Sequence, residues 1–212
     1  MSVTPSRTPG STPPSARSRW SAAAIGILGF LAVLYVVEAV DVALGQRLDT
    51  AGIRPRDVDG LSGVAFAPVL HDGWDHLFAN TGPLLVLGFV LLLSGIGRAV
   101  AVTAVIWIVG GLGTWLTGAS GSIHIGASIL VFGWLAYLIV RGVFTRDIGQ
   151  MALGFVVLVV YGGLLWGVLP TEERVSWQGH LFGALAGVLA AWMFASGRRR
   201  TDPTRAPSPH GR

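Results

Sequence analysis

The sequence has no cysteine and no lysine, and it is poor in charge of either sign. Without cysteine there is no disulfide, no thiolate nucleophile and no thiolate metal site, and the redox compartment cannot be read from cysteine usage. All fifteen basic residues are arginine, which reads as coding bias in a chain rich in alanine and glycine. Charged residues make up 12% of the chain and apolar ones 52%. Soluble domains carry about a quarter charged residues, so this composition belongs to the membrane class. The net charge of +4 sits mostly at the two ends, which argues against a nucleic-acid footprint.

What the chain does have is long apolar runs. Residues 1–19 are Ser, Thr, Pro and Arg with almost nothing to bury, and are expected to form a disordered tail. The apolar run after them is too long for a signal-peptide core and shows no small-x-small cleavage site, so the tail is expected to be retained. Six segments follow, near 20–40, 74–95, 98–117, 126–143, 148–168 and 178–197. Each approaches the roughly 20 apolar residues that cross a bilayer. A basic tail, 198–212, is expected to be disordered as well. Eleven arginines fall on the side of the two tails and the turns at Arg98 and Arg141–Arg146, against four on the other side. The positive-inside rule then puts both termini in the cytoplasm. The connection over about 41–73 is mixed apolar and charged, broken by Pro55 and Pro68, and is expected to lie along the outer interface. Glu38 and Asp41 are expected to reach that interface from the end of the first helix.

Polar side chains at membrane depth are costly and point to function by default. His76 and Asn80 in "HDGWDHLFAN" are four apart, hence one turn apart on one helix face. The stretch "HIGASILVFG" (124–133) places Ser128 at the start of an apolar run, and "WQGHLFGALAG" places His180 near an outer helix end. At about 1.5 Å per residue, Asn80 and His180 each lie roughly 27 Å from the far turn, and Ser128 roughly 24 Å. Three helices thus bring an amide, a hydroxyl and an imidazole to one level. Gly179, Gly183 and Gly187 repeat a small-xxx-small spacing, and Gly126, Ala127 and Gly133 keep the fourth helix slim, so two backbones can meet closely. Taken singly, these residues have plainer readings. His76 and Asn80 fit interhelical hydrogen bonding, Ser128 fits helix packing, and His71 and His76, five apart, face different sides and make no metal site.

In combination the motifs resemble the rhomboid family of intramembrane serine proteases. The pieces are "HDGWDHLFAN", "GAS" with Gly133 five residues after the serine, and "HLFGALAG", in order over residues 20–197. The resemblance implies an all-α, six-helix bundle of the simple bacterial form, in the cell membrane, with the two tails as separate segments. It implies Ser128 as nucleophile and His180 as general base, a dyad, since Glu172 and Glu173 lie in a hydrated loop. His76 and Asn80, with the Ser128 N–H, would hold the oxyanion. Phe132 would stack on the imidazole, with His71, Gly126, Gly133 and Gly183 in support. No cofactor is implied. The implied partners are the bilayer and transmembrane protein substrates, unwound locally before cleavage; oligomeric state is not legible. Gly162 and Gly163 mark the fifth helix as a lateral gate by the same analogy.

One position departs from the family's Gly-x-Ser-Gly: Ile129 follows the serine. A β-branched residue there leaves open a catalytically impaired, helix-binding pseudoprotease. "GASG" stands intact at 118–121, making Ser120 a rival nucleophile, but it would lie about 36 Å above the far turn and lacks a glycine at +5. A small transporter is a third class, disfavoured by the lack of an evident inverted repeat and by the few charges within the membrane.

Overall fold

The computed structural model describes residues 15–170 and 176–195. Glu172, Glu173 and both tail segments 1–14 and 196–212 lie outside the described residues. Among the described residues six helices are long and apolar enough to span a bilayer. They are α1 (Ala16–Ala43), α3 (Gly73–Leu93), α4 (Ile96–Thr117), α5 (Ser128–Thr145), α6 (Ile148–Tyr161) with its 3₁₀ continuation Gly162–Val168, and α7 (Trp177–Ala195). A one-turn helix, α2 (Gly63–Phe66), interrupts the first long connection.

Two element boundaries differ from the sequence expectation, each for a local reason. Helix α1 starts at Ala16, before Trp20, because Ser15 caps it: its Oγ accepts the Ser18 N–H at 3.2 Å. The fifth span does not run as one α-helix. It tightens to 3₁₀ from Gly162, where two glycines in succession lower the cost of leaving the α-helical register.

Helix α5 sits at the centre and is the most buried of the six. It meets α7 along the glycine repeat: a methyl on Gly183 would overlap the carbonyl oxygen of Ile129, and one on Gly187 that of Gly133. Gly133 is itself covered by Ile106 of α4. Helix α6 packs mainly on α5, where Gly154 lies against the carbonyls of Leu138 and Ile139. It is the least buried span.

The first long connection folds back onto the bundle. Trp107 and Trp115 of α4 donate to the carbonyls of Val64 and Asp57 at 2.7 and 2.9 Å, and Gly111 receives Val64. Glu38 and Asp41 do not reach the interface as expected; each is 1% exposed. After α1 the chain reverses through Gly45 and Gln46 at φ +70° and +60°, and Leu48 N–H donates to Asp41 Oδ1 at 2.6 Å. That turn closes over the Asp41 carboxylate, and Glu38 is buried about one helical turn before it. Asp49, in the same turn, is pushed up to about 7 by burial, by the charge of Asp41 and a hydrogen bond to it, and by Asp72 and Glu38.

Candidate active site

The four candidate residues sit at the starts of three helices that begin on the same face. His76 and Asn80 occupy the first two turns of α3, Ser128 is the first residue of α5, and His180 is in the first turn of α7. Helix N-termini carry partial positive charge and unsatisfied N–H groups, a setting suited to a developing oxyanion.

The loop entering α5 is fixed residue by residue. Ile53 and His124 exchange two backbone hydrogen bonds at 3.0 and 2.9 Å. Gly126 N–H donates to the Ala67 carbonyl at 2.9 Å, and Ala127 N–H to His71 Nε2 at 3.3 Å. Gly126 has φ +117°, and any Cβ there would lie 2.8 Å from His76 Nε2 and 3.7 Å from Ser128 Oγ. Glycine is therefore required twice, for its backbone and for the space between hydroxyl and imidazole. The amides before Ser128 are taken. The Ser128 N–H, at the first helical position, has no intrahelical carbonyl in reach.

The two site histidines hold opposite tautomers, as their partners dictate. His76 Nδ1 accepts the Asp72 N–H at 3.3 Å, so its proton is on Nε2, beside Gly126. His180 Nδ1 lies 2.9 Å from the carbonyl of Gly167, which can only accept, so Nδ1 carries a proton, and in the neutral ring Nε2 is left with the lone pair. Phe132 stacks flat on His180, with centroids 4.0 Å apart and planes 8° apart. Gly167 leaves room for this: a methyl there would lie 2.9 Å from Phe132 Cζ and 3.1 Å from His180 Nδ1. Asn80, 6% exposed, gives one amide hydrogen to the His76 carbonyl at 3.0 Å and keeps the other. Ser128 Oγ and His180 Nε2 are not hydrogen-bonded to one another among the described residues, and a catalytic pair often closes fully only with substrate bound.

His71, outside the spans, is wholly buried. Its ring meets His76 edge-on at 5.2 Å. Burial, and then the neighbouring His76, hold it down to about 4. It is thus a neutral acceptor for the Ala127 N–H. Ser120 lies elsewhere, exposed in the loop, with its Oγ accepting from Arg56 Nη2 at 2.7 Å.

The rhomboid domain model matches residues 58–197, the stretch that carries His71, His76, Asn80, Ser128 and His180. The chain belongs to the rhomboid family. An uncharacterized protein of Mycobacterium tuberculosis is 54% identical over 202 residues, 92% of this chain and 84% of the relative. One from Mycobacterium leprae is 50% identical over 193 residues, 87% and 76% of the two chains. YdcA of Bacillus subtilis, which carries the provisional name of rhomboid protease, is 25% identical over 134 residues, 62% of this chain and 66% of its own. No solved structure gives a match to the chain.

The rhomboid serine motif is followed here by Ile129, and the structure places its bulk away from the polar groups. Its Cδ1 would lie 2.9 Å from a Cβ on Gly110 of α4, and its backbone faces Gly183 of α7. Two features of this rhomboid were not legible beforehand. The Gly167 carbonyl that orients His180 comes from an unremarked glycine thirteen residues upstream. The side chain of His124 takes part in a hydrogen-bonded chain described below; its only sequence signal was a buried-type polar residue in a loop of small side chains.

Proposed function

We propose that the protein is an intramembrane serine endopeptidase that cuts transmembrane segments of other membrane proteins, with Ser128 as nucleophile and His180 as general base. The observation that carries this reading is the pair of opposite backbone hydrogen bonds at Nδ1 of the two histidines, from the Asp72 N–H to His76 and from His180 to the Gly167 carbonyl. His180 offers a lone pair on Nε2 and His76 offers an N–H, which are what a base and an oxyanion donor respectively need. Ser128 Oγ would attack the scissile carbonyl carbon as His180 Nε2 takes its proton. The carbonyl oxygen, now an oxyanion, would be held by His76 Nε2–H, the free Asn80 amide hydrogen and the Ser128 N–H. The C–N bond then breaks, and His180 returns its proton to the leaving amine. Water, activated by His180, would release the acyl group and regenerate Ser128. The Gly167 carbonyl does for His180 what a buried carboxylate does in a triad: it fixes tautomer and ring orientation without adding charge. The sparsely buried α6 is the natural side for a substrate helix to enter.

The supporting experiment is cleavage of a single-span substrate by the purified protein in liposomes. Ser128→Ala is expected to lower the rate by roughly a thousandfold or more. Ser120→Ala should leave it within about twofold, because that hydroxyl is bound to Arg56 away from the site. Ile129→Gly should bring no gain, since the side chain points toward Gly110. The absence of a Ser128–His180 hydrogen bond is what favours the second reading, an impaired rhomboid that binds helices. An inert wild type whose activity appears in Ile129→Gly would establish that one instead.

A further inference from the structure

Among the described residues, one histidine lies outside the machinery just described. His124 is 9% exposed, and both ring nitrogens are engaged: Nδ1 lies 2.7 Å from Ser176 Oγ and Nε2 lies 2.8 Å from Ser122 Oγ. The partners on either side settle which way each bond runs. Ser176 Oγ accepts the Gly179 N–H at 3.3 Å, in the manner of a helix N-cap, and so has its own proton to give to His124 Nδ1. Ser122 Oγ lies 2.7 Å from the Ala119 carbonyl, which can only accept, so Ser122 donates there and accepts from His124 Nε2–H. The bonds thus run in one direction, from Gly179 N–H to Ser176, to His124, to Ser122, to the Ala119 carbonyl. All groups are neutral and every donor has an acceptor. Burial alone shifts His124 down from its ordinary value, which favours the neutral ring this chain requires.

The position of the chain matters more than its length. His124 is four residues before Ser128, and Ser176 is four residues before His180. His124 therefore ties the lead-in of the proposed nucleophile to the lead-in of the proposed base. Its backbone is also paired with Ile53. Gly118 makes room for the ring, since a methyl there would lie 2.6 Å from His124 Nε2.

We propose that His124 is a positioning residue: its imidazole clamps the loop entering α5 to the N-cap of α7 and so sets the approach of Ser128 to His180. The proposal rests on the peptidase reading for its kinetic consequence, while its structural consequence is independent of it. His124→Phe keeps the ring's bulk and removes both hydrogen bonds. His124→Gln keeps a donor and an acceptor.

The test measures kcat and KM of the full chain in liposomes for the wild type, His124→Phe, His124→Gln, Ser176→Ala and the double variant His124→Phe/Ser176→Ala. Ser128→Ala serves as the control. His124→Phe is expected to lower kcat about 10- to 100-fold at nearly unchanged KM, the scale of a small misplacement of reacting groups. His124→Gln should recover part of that loss. The double variant should be little worse than the worse single one, because both break the same link. Wild-type kcat in His124→Phe, losses that simply multiply in the double variant, or no recovery in His124→Gln would each overturn the proposal. If the wild type itself does not cut, the peptidase reading fails and amide hydrogen exchange decides the clamp. Faster exchange at Gly179 and His180 in His124→Phe supports it, and unchanged exchange there refutes it.

Discussion

His76 and His180 use Nδ1 in opposite senses, as acceptor and as donor, and that difference separates their proposed roles. The difference is set by a backbone N–H from Asp72 in one case and a backbone carbonyl from Gly167 in the other. His71 is a third variant, an acceptor kept neutral by burial so that it can bind the Ala127 amide. This has a consequence for stability. Because burial holds His71 down to about 4, against about 6.5 for an unfolded histidine, folding favours the unprotonated ring. Its contribution is complete above about pH 6.5 and is lost as pH falls toward 4. The full span of that loss is at most about 3 kcal/mol. Unfolding midpoints measured between pH 7 and 4 should fall in the wild type and fall less in His71→Gln. An equal fall in both would assign the acid sensitivity to other groups.

At the scale of the element, the contact that matters most is α5 against α7. Both helices start on one face and run in the same direction, so the register of glycines sets the register of the candidate groups Ser128 and His180. Gly183 against Ile129 and Phe132 against His180 are one and the same alignment. Gly187 is further along the interface, away from the polar groups, and lies on the Gly133 carbonyl. Gly187→Ala places a methyl against backbone, which has no rotamer to relieve the overlap. The expected cost is about 1–3 kcal/mol of stability, as for other overpacked interiors, with a fall in cleavage as the helices separate. Thermal unfolding of the variant alongside its cleavage rate checks this; full stability with full activity would mean that the helices can separate there freely. The spacing of Gly179, Gly183 and Gly187 was visible in the sequence. Which helix they would meet was not, because small-residue repeats specify closeness without specifying a partner.

At the scale of the whole molecule, the six spans and their order were legible because a bilayer demands about 20 apolar residues per crossing and hydropathy records that directly. Orientation rests on a count of arginines alone and remains an expectation. The lack of cysteine makes it simple to test. A cysteine at Ser120, exposed in the loop on the side of the site, should react with a membrane-impermeant maleimide on intact cells. One at Arg146, exposed in the turn between α5 and α6, should react only after lysis. The reverse pattern would put the termini outside the cytoplasm. The buried turn over Glu38 and Asp41 could not have been read in the same way. Two carboxylates near a helix end ordinarily reach water, and here both are buried, with the reversal at Gly45 and Gln46 bringing the Leu48 N–H onto Asp41.

The sequence by itself determined the membrane class and the six spans, and it singled out His76, Asn80, Ser128 and His180 as candidates, because hydropathy, glycine spacing and polar groups at depth are local or periodic signals. It also placed Ser120 above the level of the other candidates by counting helical rise. The tertiary structure alone decided that the Gly167 carbonyl fixes the Nδ1 side of His180, that the bulk of Ile129 is housed against Gly110, and that His124 joins two lead-in segments. The physical reason is the same in each case. A tautomer, a cavity and a clamp are set by groups 13 to 52 residues away in the chain, and no local pattern carries that information.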